Sequence, residues 1–188
     1  DDKVDVEIYL TGKDLPAGIK ILQNETRELL QEFRNNSKGL VTFHFFDYNS
    51  IKNQKQREEF QMGLVKKGLR PTNLEVKSNS GYSEKLVFPG AVIKSNGREI
   101  PIQILENQFS TGAQGALNNS ISLLEYKLAN AIDKIIREHP PKVVFLQGQG
   151  ELGVEPLQEF LKALAAQNFQ LDKIELDKDK LLHNNIDV

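Results

Sequence analysis

The chain has 188 residues, with 24 Lys and Arg against 26 Asp and Glu for a net charge of -2, and no cysteine. This balance argues against a dedicated nucleic-acid surface, which carries a clear basic excess, and the missing thiols exclude disulfides, cysteine nucleophiles and thiolate metal sites. Apolar residues at 39% can build a core, and no apolar run approaches the roughly 18 residues of a membrane-spanning helix.

In chain order, Val4, Val6, Ile8 and Leu10 alternate with Asp5, Glu7 and Tyr9, the pattern of a half-buried strand. A turn cluster, Thr11 to Gly18, precedes a helix whose apolar face is Ile19, Leu22, Leu29, Leu30 and Phe33 and whose stop is Asn35 to Gly39. Leu40–Phe46 reads as a second strand, and residues 51–68 as a polar helix with Phe60, Leu64 and Val65 on a thin apolar face. A short strand entered through Pro71 is expected near 70–77, then a loop over 78–85. Strands over 86–94 and 99–105 are joined by Ser95-Asn-Gly-Arg98, and Asn-Gly is the strongest two-residue hairpin signal. A polar loop through Gly112 and Gly115 leads to a helix expected over 118–138, with a stripe of Ile121, Leu124, Leu128, Ile132 and Ile135 and either a capping box at Ser122 and Glu125 or an earlier cap at Asn118 or Asn119.

Pro140-Pro141 ends that helix, since each ring removes a backbone donor and clashes with the preceding turn. A first domain over 1–139 and a second unit over 140–188 follow from this break. The fold class is α/β: a mixed sheet packed by helices in a thioredoxin-like arrangement without the thiols, followed by a partial parallel βαβ unit of strand 143–147, helix 156–167 and strand 169–176. The apolar run Val143–Leu146 is the kind expected of a strand covered on both faces. The unit is expected to be truncated, because one helix cannot cover two parallel strands. Contact with the first domain or self-association as a homo-oligomer is the expected remedy.

Gly148-Gln-Gly-Glu-Leu-Gly153 spells a dinucleotide-binding pattern between strand and helix, with Glu175 about 20 residues on. Pro156 counts against it, because Pro is tolerated only at a helix start and so places that start after the glycines. Glu151 would also put negative charge where a phosphate must sit. The motif is therefore read as a tight strand-to-helix turn. Gln147, Gly148, Gln149, Gly150 and Glu151, at the carboxyl end of a parallel strand, remain position-based candidates for ligand or partner contact. His44, His139 and His183 have no metal-ligand spacing, and no serine sits in a nucleophile elbow, so no catalytic residue, cofactor or metal is assigned.

Several stretches together carry a family resemblance: Val6-Glu-Ile-Tyr-Leu10, Asp14-Leu-Pro-Ala-Gly18, Leu22-Gln-Asn24 with Leu30-Gln-Glu-Phe33, Phe88-Pro-Gly-Ala-Val92, Gly97-Arg-Glu-Ile-Pro101, Asn119-Ser-Ile-Ser-Leu-Leu-Glu-Tyr126 and Pro141-Lys-Val-Val-Phe-Leu-Gln-Gly-Gln-Gly-Glu151. In order and spacing they resemble the extracytoplasmic region of gliding-motility-associated ABC transporter auxiliary, substrate-binding-like proteins of the GldG type from the Bacteroidetes. The resemblance implies a non-enzymatic periplasmic component, anchored to the inner membrane by segments outside this sequence, which begins Asp1-Asp-Lys and ends Ile186-Asp-Val and is expected to be cut from a longer protein. The partners it implies are a membrane permease and, indirectly, its ATPase. It also implies that the second unit opens a glutamine-amidotransferase-like domain, although the absent cysteine removes that fold's nucleophile. A nucleotide-binding enzyme using the Gly148–Gly153 loop and a periplasmic small-solute receptor are the alternatives.

Overall fold

Alternation of apolar and charged residues builds the first strand, β1 (Val4–Ile8), with Val4, Val6 and Ile8 buried and Asp5 and Glu7 on the opposite face. The chain is described by a computed structural model for residues 2–12, 14–78, 81–106, 112–147, 150, 155–166 and 169–175, with backbone alone for 75–78, 81–83, 147, 155, 166 and 175. It divides into two compact units, Asp1–Ile136 and Arg137–Val188. The division falls three residues before the 139/140 boundary expected from Pro140-Pro141, where the helix itself ends.

In the first unit, helix α1 (Ala17–Asn36) buries Ile19, Leu22, Thr26 and Leu30, one stripe at helical spacing. Thr26 is tolerated there because its hydroxyl donates to the Leu22 carbonyl at 2.7 Å. The helix ends where Lys38 and Gly39 turn left-handed (φ 53° and 84°), and the Gly39 N–H donates back to the Arg34 carbonyl at 2.9 Å. Strand β2 (Val41–Phe45) follows and pairs in parallel with β1. After a 3₁₀ turn at Tyr48–Ser50, Asn53 caps helix α2 (Gln54–Lys66) by accepting from the Gln56 N–H at 3.1 Å.

Strands β3 (Thr72–Ser78) and β4 (Gly81–Val87) form an antiparallel two-stranded sheet. The loop expected over 78–85 is thus corrected: most of it is β4, whose ladder comes from pairing with β3 rather than from its own polar sequence. Strand β5 (Gly90–Ser95) begins after the Phe88-Pro89 break, and the left-handed pair Asn96 (φ 48°) and Gly97 (φ 74°) turns it into β6 (Arg98–Gln103) as expected of Asn-Gly. The four-stranded sheet has the order β2-β1-β5-β6, with β1–β2 parallel and both other pairs antiparallel.

Helix α3 spans Gly112–Ile136, not 118–138. Its first turns include Gly112 and Gly115 and are held by burial of Ala116 and Leu117, tertiary packing that outweighs glycine's poor helix propensity. Ser122 is accordingly an interior residue donating to the Asn118 carbonyl at 3.0 Å, and no capping box forms there. At the other end Arg98 donates to the Ile135 carbonyl, a cation on the negative end of the helix.

The two faces of the sheet build two cores. Ile8, Ala91 and Ile93 pack with the stripes of α1 and α3. Tyr9 and Val92 face the other way and pack with Tyr48, Leu64, Leu69 and Phe88, joined by Phe60 of α2. The first unit is therefore three layers, with α1 and α3 on one face and α2 on the other.

In the second unit, β7 (Lys142–Gln147) and β8 (Gln170–Glu175) pair in parallel, separated in sequence by a 3₁₀ turn at Glu155–Leu157 and helix α4 (Gln158–Ala166). The expectation that Val143–Leu146 is covered on both faces fails: Val143 to Phe145 are half-buried and Leu146 is 48% exposed. Among the described residues, a two-stranded sheet beside one short helix supplies too little surface to cover the run.

Candidate site: an apolar groove between two helices and an edge strand

A groove of about 630 Å³ opens in the first unit. One wall is the first turn of α1, with Pro16, Gly18 and Ile19; another is Thr72, Asn73 and Leu74 of β3. Leu105, after β6, and Leu117, in the second turn of α3, complete the apolar lining. Four segments of the chain thus meet at one place.

Polar groups around the groove are mostly satisfied within the chain. Glu106 is the one charged residue among its described lining, and its carboxylate pairs with Lys127, which also donates to the Gln103 carbonyl at 2.8 Å. The buried Ser120 hydroxyl accepts the Glu106 N–H at 2.8 Å and donates to the Ala116 carbonyl at 2.6 Å, fastening the chain after β6 to α3. Two exceptions stand out. The Thr72 hydroxyl is buried with no hydrogen-bond partner, a loss of about 1–3 kcal/mol for such a group. The α1 N-terminus begins at Pro16 with no side-chain cap and no acid in its first turn, so its positive end is uncompensated locally.

A second cluster lies on the α2 side of the sheet. Glu7 pairs with Lys94, and the His44 ring lies between two carboxylates, Nδ1 3.6 Å from Asp5 and Nε2 3.6 Å from Glu7. Burial alone would raise the Glu7 carboxyl, but the hydrogen bond and charge of Lys94, with help from Tyr9 and His44, hold it below its usual value. Burial and then the Glu7 charge push the Tyr9 phenol well above its ordinary range. Because the two imidazole nitrogens point at different acids, the three residues cannot share one metal ion. Among the described residues no group of three or more His, Asp or Glu is placed to hold a metal. These neighbours neutralise one another across strands, which is an architectural arrangement.

Of the residues singled out from sequence, Gln147 ends β7, and Gly150 has a left-handed φ of 88° with nothing within 4 Å of its Cβ position. Gly148, Gln149 and Glu151 lie outside the described residues, as does His183. The helical turn at Glu155–Leu157 starts after the last glycine, where Pro156 places it. Sequence reasoning passed over the groove; Gly18 in a helix's first turn was the one local signal of a close approach.

A family described as a domain of unknown function (DUF7088) matches residues 1–94, half of the 188-residue chain. The chain belongs to that family. The DUF7088 match takes in β1 to β5, hence the α1 and β3 walls of the groove, and stops short of α3 and the second unit. No curated protein and no solved structure matches the chain.

Proposed function

We propose that the chain is a non-catalytic binding and scaffolding component of an ABC transporter complex associated with gliding motility. In this reading it works in the periplasm, meets the permease and through it the ATPase, and is anchored to the inner membrane by segments outside residues 1–188. The observation that carries the binding role is the groove: an apolar concavity whose only charged described lining residue is neutralised by Lys127 suits holding a partner better than moving protons or electrons. The GldG-type resemblance of the segments quoted above supplies the identity of the complex.

The strand order β2-β1-β5-β6, with its parallel first pair and helices on both faces, supports a thioredoxin-like reading of the first unit. The parallel β7–β8 pair with its intervening helix supports reading the second as the opening of an amidotransferase-like domain. Calorimetric titration with NAD, NADP, ATP and FAD tests the non-catalytic role. No binding is expected; micromolar binding abolished by Gly150→Ala would overturn it in favour of a nucleotide-dependent enzyme.

A further inference from the structure

We infer that two copies of this chain join edge to edge through β2, antiparallel about a two-fold axis at Phe43, so that their four-stranded sheets become one. This goes beyond the transporter reading and does not depend on it.

The first observation is an asymmetry between the two edges of the sheet. The Tyr9 N–H donates to the Gly90 carbonyl, so Gly90, Val92 and Lys94 turn their backbone groups to β1, and Ala91, Ile93 and Ser95 turn theirs to β6. Opposite those three stand Ile102, Ile100 and Arg98, which leaves Glu99, Pro101 and Gln103 pointing away from the sheet. Pro101 has no N–H to offer, and the Gln103 carbonyl already accepts from Lys127 at 2.8 Å. Glu99 adds a charge, so this edge is guarded against a further strand.

β2 lacks these guards. The Val4 N–H donates to the Leu40 carbonyl at 2.9 Å and the Phe46 N–H to the Ile8 carbonyl at 2.8 Å, so Leu40, Thr42, His44 and Phe46 face β1. Val41, Phe43 and Phe45 therefore turn N–H and C=O outward. Among the described residues β2 pairs only with β1, and of its outward groups only the Val41 N–H is taken, by the Ser37 hydroxyl at 3.0 Å. No Asp, Glu, Lys or Arg stands between Val41 and Phe46.

The second observation is what fits this edge. Val41, Phe43 and Phe45 share the face that packs on the core of α1 and α3, and both phenylalanines are only half-buried. A strand added here needs apolar side chains on that same face, and β2 itself has them. About an axis at Phe43, Phe43 meets Phe43 of the second copy and Val41 meets Phe45, while the exposed Thr42 and His44 meet on the other face. Each Phe43 exchanges both backbone bonds with its counterpart. Each Phe45 N–H reaches a Val41 carbonyl, the Val41 group that Ser37 leaves open. The strand has no fixed charge with which to select a foreign partner, and a second copy brings the matching pattern by symmetry.

Sedimentation equilibrium of the 188-residue chain across a concentration range tests this, and a reversible monomer–dimer equilibrium is expected. Thr42→Lys combined with His44→Lys sets lysines opposite each other on both sides of the axis. That variant should dissociate at least about tenfold more readily, with a urea midpoint close to the parent's, since both side chains are exposed. Single cysteines read the register, because the chain has none of its own. Among Thr42→Cys, Phe43→Cys, His44→Cys and Phe45→Cys, only Phe43→Cys is expected to give a disulfide-linked dimer on mild oxidation, since only there does a residue face its own counterpart. A chain that stays monomeric, a dimer indifferent to the paired lysines, or cross-linking strongest at another of the four positions would overturn the inference. None of these outcomes bears on recovery of the transporter subunits.

Discussion

Gly18 of α1 and Leu117 of α3 meet at the wall of the groove with room for a hydrogen and no more: a Cβ at position 18 would stand 2.7 Å from Leu117 Cδ2. The obstacle is the tip of a side chain that borders open space, so it can turn aside. Gly18→Ala gains up to about 1 kcal/mol of helix propensity against the cost of moving Leu117. Net stability in urea unfolding is expected to change by less than about 1 kcal/mol, while Leu117 is pushed into the groove. Gly90 is the contrasting case, because its Cβ would lie 2.7 Å from the Ile102 carbonyl oxygen, a backbone atom that cannot swing away. Gly90→Ala should cost about 1–3 kcal/mol in urea unfolding.

Helix α3 supports the first unit through side chains that face α1 and the sheet. Leu128 is 0% exposed, whereas Tyr126, two residues earlier, is 62% exposed. Leu128→Ala is expected to destabilise by roughly 2–5 kcal/mol, and Tyr126→Ala by less than about 0.5 kcal/mol. Urea midpoints of the two variants check this. A Leu128→Ala loss below about half a kcal/mol would mean that the helix does not pack as described.

Stability should depend on pH through Glu7 and Lys94. The Glu7 pKa is lower folded than its ordinary 4.5, so its contribution is complete above that value and is lost as pH falls through the folded value. Lys94, raised above 10.5 first by its hydrogen bond to Glu7, contributes fully below that value and loses its contribution as pH rises through the folded one. Lys94→Met is expected to flatten the acid limb of urea midpoint against pH between about pH 5 and about pH 3. An unchanged acid limb would show that the pair contributes nothing there.

Much of the fold was legible because its signals are local. The alternation of Val4 to Ile8, the α1 stripe and the Asn96-Gly97 turn each specify an element within a few residues. Strand β4 was not legible, since Gly81 to Glu84 have no apolar alternation and become a strand only against β3. The early start of α3 was hidden in the same way: Gly112 and Gly115 read as loop, and Leu117 meeting Gly18 decides otherwise. The groove draws on four segments, and no pattern within any one of them announces it. The loop that does have a motif, Gly148 to Gly153, contributes only Gly150 to the described residues.

Affinity purification of the full-length protein from membranes in mild detergent tests most directly whether this chain is the periplasmic binding part of an ABC transporter complex. The predicted result is recovery of an ABC permease and its ATPase in stoichiometric amounts with the tagged protein. Recovery of the protein without either subunit would contradict it.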